Sequence, residues 1–217
     1  MNRDTSLSLR GQTVVGIDVG GERKGFHAVA LRARVFETKT STRHAEIVDW
    51  CRNRAATAVA VDAPCGWSRG SGSRQAEREL TLNGTKIHCF ATPTREVAAG
   101  NPFYDWVFNG EKLYQCLSHY YRCFDGVRRA GSVYFETFPH GVVCARSGRV
   151  VSAKPKASTR RQLLRDCGYD DRALPNIDFV DAALCAIAAE AFREGRTRQF
   201  GWKDEGLIVV PACEVRA

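Results

Sequence analysis

From Thr13 to Val19 the chain is apolar and β-branched at almost every position, with Asp18 as the one charge, and the Gly20-Gly21 pair supplies the φ freedom a reversal needs. A second apolar run, Phe26 to Leu31, completes a hairpin, and Arg34 to Thr38 (RVFET) reads as a third antiparallel strand. Between Thr42 and Arg54, the residues Ile47, Trp50 and Cys51 fall on one face of a helix. Thr57 to Ala63 (TAVAVDA) is apolar up to Asp62 and is stopped by Pro64. A strand without polar alternation is buried on both faces, so this one is expected inside the sheet and parallel to the first. Asp18 and Asp62 then share an edge.

The next stretch, CGWSRGSG from Cys65 to Gly72, is rich in glycine and serine and reads as a surface loop; it lacks the spacing of a phosphate-binding loop. Ser73 is expected to cap a helix, RQAERELTLNG, that stops at Asn83-Gly84. His88 to Pro93 is irregular, and Thr94 to Ala99 is a helical turn. Phe103 to Phe124 reads as one long aromatic-rich helix. Val133 to Phe138 (VYFETF) alternates as a strand, with Glu136 within it and Pro139-His140 at its exit. A helix capped at Ser158 follows in the basic stretch Lys154, Lys156, Arg160, Arg161 and Arg165. The last long helix begins near Asn176, turns Val180, Leu184 and Ile187 inward, and carries Asp178 and Asp181 together on the neighbouring face. Leu207 to Val210 is a closing strand. The pattern predicts one α/β domain over residues 1–217, with a three-strand antiparallel meander, parallel strands, flanking helices and a helical insertion at about 65–130.

Composition narrows the partners. Of 217 residues, 44% are hydrophobic, enough for a sizeable core, and 32 basic against 24 acidic residues give a net charge of +8. That balance favours polyanions, nucleic acid among them, on a mixed surface. No apolar run is long enough to span a bilayer and MNRDTSLSLR has no hydrophobic signal region, so a cytoplasmic protein is expected. Nine cysteines are scattered without a C-x-x-C pair, which argues against a zinc site and, in a reducing compartment, against a structural disulfide. Cys116 and Cys123, seven apart, read as thiols on one helix face.

Each acid alone has an ordinary explanation, but the set has chemistry in it: Asp18 in the first strand, Asp62 ending a parallel strand, and Asp178-x-x-Asp181 opening the last helix. Carboxylates brought together raise each other's pKa, and divalent cations keep such a cluster ionised. The order VVGIDVG with Gly25-Phe26, AVDAP followed by Arg74, Glu77 and Arg78, FETFPH, KASTRRQLL, NIDFVDAALCAIAAEA and EGLIVVP resembles the DUF429 group, predicted nucleases of the ribonuclease H-like, RuvC-like superfamily. The resemblance implies a ribonuclease H-like mixed five-stranded sheet. It also implies hydrolysis of DNA or RNA by two Mg²⁺ or Mn²⁺ ions held by Asp18, Asp62, Asp178 and Asp181. Glu136 and His140 match the group's Glu-x-x-Pro element. Glu136 is counted with the catalytic acids, and Arg74, Arg78, His140, Lys154, Lys156, Arg160 and Arg161 with substrate binding at the rim. Two rival readings are a non-catalytic nucleic-acid-binding module on the same fold and, more distantly, an actin-like or sugar-kinase ATPase using GIDVGG. The ATPase would need a second copy of the domain, and the chain has one I-D-x-G pattern.

Overall fold

The first hairpin sets the architecture. In the computed structural model, which describes residues 11–70 and 72–213, β1 (Val14–Val19) pairs antiparallel with β2 (Phe26–Arg32), and β2 pairs with β3 (Val35–Ser41). Gly25, at φ 68°, makes the return, and a side chain there would collide with the Ser41 carbonyl. After α1 (His44–Asn53), β4 (Ala58–Asp62) runs parallel to β1, matching Asp18 with Asp62. The amino-terminal stretch read above as free of a signal region lies outside the described residues.

Between β4 and the next long strand come α2 (Gln75–Glu79), a small hairpin of β5 (Thr81–Leu82) and β6 (Thr85–Lys86), α3 (Arg95–Ala98), α4 (Asp105–Leu117) and β7 (Arg122–Cys123). Then follow β8 (Val133–Glu136), α5 (Pro139–Ser147), α6 (Lys156–Asp166), α7 (Ile177–Arg193), β9 (Thr197–Phe200) and β10 (Ile208–Pro211). The sheet order is β3-β2-β1-β4-β8-β10-β9, with β7 also on β8. β8 is parallel to β4, as the strand pattern predicted.

The expected five strands are the first five in that order, but the sheet has eight. The closing strand expected at Leu207 to Val210 joins the sheet as β10, parallel to β8, and the unexpected strands are β9, antiparallel beyond β10, and β7, on the same side of β8. β9 (TRQF) is a mostly exposed edge strand, so it has no apolar run to reveal it. Other boundaries also move. The RQAERELTLNG stretch is helical only from Gln75 to Glu79, because Asn83 and Gly84, both at positive φ, make a tight hairpin turn instead of a helix end. Its cap is Arg74, not Ser73. The aromatic helix ends at Leu117, whose carbonyl accepts from both Tyr120 and Tyr121, and Cys123 therefore sits in β7 rather than on the helix with Cys116. α6 starts at Lys156, two residues before Ser158. Pro139 opens α5, a place where its missing N–H costs nothing. All nine cysteines are free thiols.

Helices cover both faces of the sheet. α7 and α5 pack on the face formed by Val14, Val29, Ala58, Ala60, Val133 and Phe135, and α1 and α4 on the face of Val15, Ile17, Val59, Val61 and Tyr134. Among the described residues no helix is long and apolar enough to cross a membrane.

Candidate metal centre

The carboxyl-terminal ends of β1 and β4 are held from one side by α4. Asn109 donates to the Gly20 carbonyl at 2.8 Å and the Tyr114 hydroxyl to the Ala63 carbonyl at 2.7 Å. On the other side α7 presses directly on β1. A methyl group at Gly16 would stand 2.0 Å from the Ala182 carbonyl oxygen, so this approach requires glycine. Strand parity puts Asp18 on the same face as Gly16, and Asp62 on the same face as Ala58 and Ala60. The first turn of α7 crosses that face, capped by Asn176, whose side-chain oxygen accepts from the Asp178 and Phe179 amides at 3.0 and 3.2 Å. Two sets of ligand atoms result, each within 4.8 Å of one another: Asp18, Asp62 and Asp181, and Asp18, His27 and Asp178. Asp18 belongs to both.

Three basic groups reach into this cluster. The Lys24 ammonium donates to Asp178 at 2.8 Å and lies 3.8 Å from Asp18. Lys156 pairs with Asp181 at 2.7 Å, and Arg160 donates to the other oxygen of Asp181. Four aspartates against three cations leave an excess of negative charge, and one buried atom, Asp18 Oδ2, has no hydrogen-bond partner. Burial pushes the Asp18 carboxyl up to about 6; the Lys24 charge opposes the rise and Asp178 adds to it. Asp62, half-buried at the end of β4, is raised well above the ordinary carboxylate range, first by desolvation and then by Asp18. His27 is shifted down by burial, which favours the neutral imidazole. Four carboxylates brought together, with Asp18 and Asp62 destabilised as anions and one Asp18 oxygen without a hydrogen bond, are a donor set that fits a hard divalent cation.

The family model described as "Protein of unknown function (DUF429)" matches residues 16–205. The chain belongs to the DUF429 family. No curated protein and no solved structure gives a match.

In this DUF429 chain the other expected site residues fall into different places. Glu136 has the parity of Tyr134, on the sheet face opposite Asp18 and Asp62, and both its oxygens are taken by the Arg74 guanidinium at 2.6 and 2.7 Å. Arg74 is 1% exposed and does not reach the rim. It also binds Glu77 at 2.8 Å. Arg78 lies outside, bonded to Gln75 and Ser73. Arg161 is spent on the Leu174 carbonyl and on Asp171, at 2.7 and 3.2 Å. His140 is buried in α5 with Nε2 3.7 Å from the Cys144 thiol one turn on. Of the seven residues assigned to substrate, Lys156 and Arg160 stand at the cluster, and Lys154 is exposed just before them. The start of the loop after β4 is tied down, with the Cys65 N–H donating to Glu136 and the Arg69 N–H to Glu205, which also accepts from Gln75 at the start of α2.

Two members of the site were missed from the sequence, Lys24 and His27. His27 was legible in principle, because a hairpin that pairs Val19 with Phe26 must pair Asp18 with His27. Lys24 sits in the turn, where no periodicity assigns a direction to a side chain.

Proposed function

We propose that this protein is a metal-dependent nuclease of the ribonuclease H-like type, acting on nucleic acid in the cytoplasm, with Mg²⁺ or Mn²⁺ held by Asp18, Asp62, Asp178 and Asp181. The observation that carries the reading is the trio Asp18, Asp62 and Asp181, with ligand atoms inside 4.8 Å and the buried Asp18 Oδ2 lacking a hydrogen bond. An antiparallel meander followed by parallel strands, with the last helix bringing acids against the first strand, supports the fold assignment. Bound divalent ions supply Lewis acidity at a phosphodiester and a water acidic enough to attack it. The protein's share is placement. Asp18 and Asp62 are fixed by strand register, Asp178 and Asp181 by a capped helix, and Lys156 and Arg160 carry positive charge to the cleft where a phosphate would lie.

The test is hydrolysis of labelled DNA and RNA panels, single-stranded and duplex, by wild type and Asp18→Asn with Mg²⁺ or Mn²⁺, alongside thermal melts. Wild type is expected to cleave and to gain stability from Mn²⁺, and Asp18→Asn to lose cleavage by about a hundredfold or more. If the variant cleaves like wild type, the assignment is wrong. A second reading, a nucleic-acid-binding module without catalysis, is favoured by the ion pairs already made by Lys24, Lys156 and Arg160; it predicts binding without hydrolysis at any metal concentration.

A further inference from the structure

The trio Asp18, His27 and Asp178 is not a copy of the all-carboxylate trio beside it. It contains an imidazole, and its occupant is a lysine. Lys24 bonds only to Asp178, at 2.8 Å; its distance to Asp18, 3.8 Å, is beyond a hydrogen bond. The ammonium therefore leaves Asp18 Oδ2 with an ion pair but no hydrogen bond, and no hydrogen bond reaches the buried Nδ1 on the far edge of the His27 ring either. Both residues are more than nine-tenths buried, at 8% and 9% exposure. A buried carboxylate oxygen without a hydrogen bond, beside an imidazole nitrogen turned toward a third acid, marks a place arranged for a ligand other than the lysine. The ring of His27 is held from the side by Phe179, edge to face at 4.9 Å, which keeps its Nε2 4.0 Å from Asp178.

We infer that Asp18, His27 and Asp178 form a mixed nitrogen and oxygen site for a divalent transition-metal ion, and that Lys24 is its built-in counter-ion, displaced when the metal binds. The geometry of the turn provides the path. The Lys24 stem lies across Gly20, where a methyl group would come within 2.6 Å of it, and its side chain is 48% exposed, so it can swing into solvent without opening the core. An imidazole ligand favours Mn²⁺ over Mg²⁺, which prefers an all-oxygen octahedron. Competition with Lys24 lowers the affinity of this position, so it fills only when metal is abundant. The inference rests on the proposed metal cluster but not on the identity of the reaction.

The experiment reads binding rather than turnover. Mn²⁺ is titrated calorimetrically into the full chain, and the bound ion is examined by electron spin-echo spectroscopy for coupling to a histidine nitrogen. Wild type is expected to take two ions per chain, with nitrogen coupling and with Mg²⁺ replacing the second ion poorly. His27→Gln should lose the coupling and weaken one site by about tenfold or more, leaving the other. Lys24→Gln, an exposed change that should not disturb folding, should tighten the second site several-fold. A single ion without nitrogen coupling overturns the inference, as does a Lys24→Gln protein whose two affinities match wild type. If cleavage is found with one ion and no nitrogen coupling, the nuclease reading stands and this inference falls. Two ions with nitrogen coupling and no cleavage give the reverse.

Discussion

Two groups of buried carboxylates lie at the ends of the central strands, on opposite faces, and they are solved in opposite ways. In the first, Arg74 binds Glu136 and Glu77, and every carboxylate oxygen of Glu77, Glu136 and Glu205 accepts a hydrogen bond from Arg74 or from the amides of Cys65, Arg69, Gln75 or Thr92. In the second, Asp18, Asp62, Asp178 and Asp181 share Lys24, Lys156 and Arg160, and the Asp18 oxygen is left over. A completed network ties β8, α2 and the loop before β10 into one rigid piece. An incomplete one stores repulsion that a ligand can relieve. Completeness of pairing, rather than burial or acidity, separates the scaffold from the site.

The comparison breaks most visibly at Arg74. Arg74→Met leaves Glu136 and Glu77 buried without their counter-ion, and urea denaturation should register a loss of about 3–5 kcal/mol, independent of metal. An unchanged midpoint would mean that water reaches this cluster and that it is no scaffold.

Asp18 should respond in the other direction. Its folded pKa, about 6, is above the ordinary value of 3.8, so between these values the folded state keeps a proton the unfolded state has lost. Metal-free stability therefore falls as pH rises from about 4 to about 6 and is lowest above that window, by on the order of 3 kcal/mol for this one group. The rise of Asp62 acts with the same sign. Melts in chelator from pH 4 to 8 should show the decline in wild type and a flatter curve, higher at pH 8, for Asp18→Asn. Added Mn²⁺ should restore wild type at pH 8 and leave the variant little changed. A wild type that becomes more stable with pH would contradict the stored repulsion.

The smallest effect concerns the rim. Lys154 is exposed, so Lys154→Glu should alter stability by less than about 0.5 kcal/mol. If it touches phosphate, the salt dependence of nucleic-acid binding should lose about one unit of slope or more. Equal slopes would make it part of a solvated face.

Local pattern was enough for much of this. The β-branched runs and the apolar TAVAVDA stretch determined the meander and its parallel neighbour, because strand burial is written in consecutive residues, although the left-handed residue of the first turn is Gly25 and not Gly20 or Gly21. The four aspartates were also legible, since an acid that interrupts an apolar strand or opens an apolar helix needs a reason to be there. What no periodicity carries is the partner of each charge. Glu136 and Asp62 both end strands beside one another, yet one parity step sends Glu136 to Arg74 and Asp62 to Asp18. Arg74 and Arg161 look like surface charge in the sequence and are buried or bonded inward, while Lys24 comes from a turn to stand between two acids. The edge strand β9 exists only because β10 offers it a ladder. Ion pairing and edge pairing join residues far apart in the chain, so only the tertiary structure could decide them.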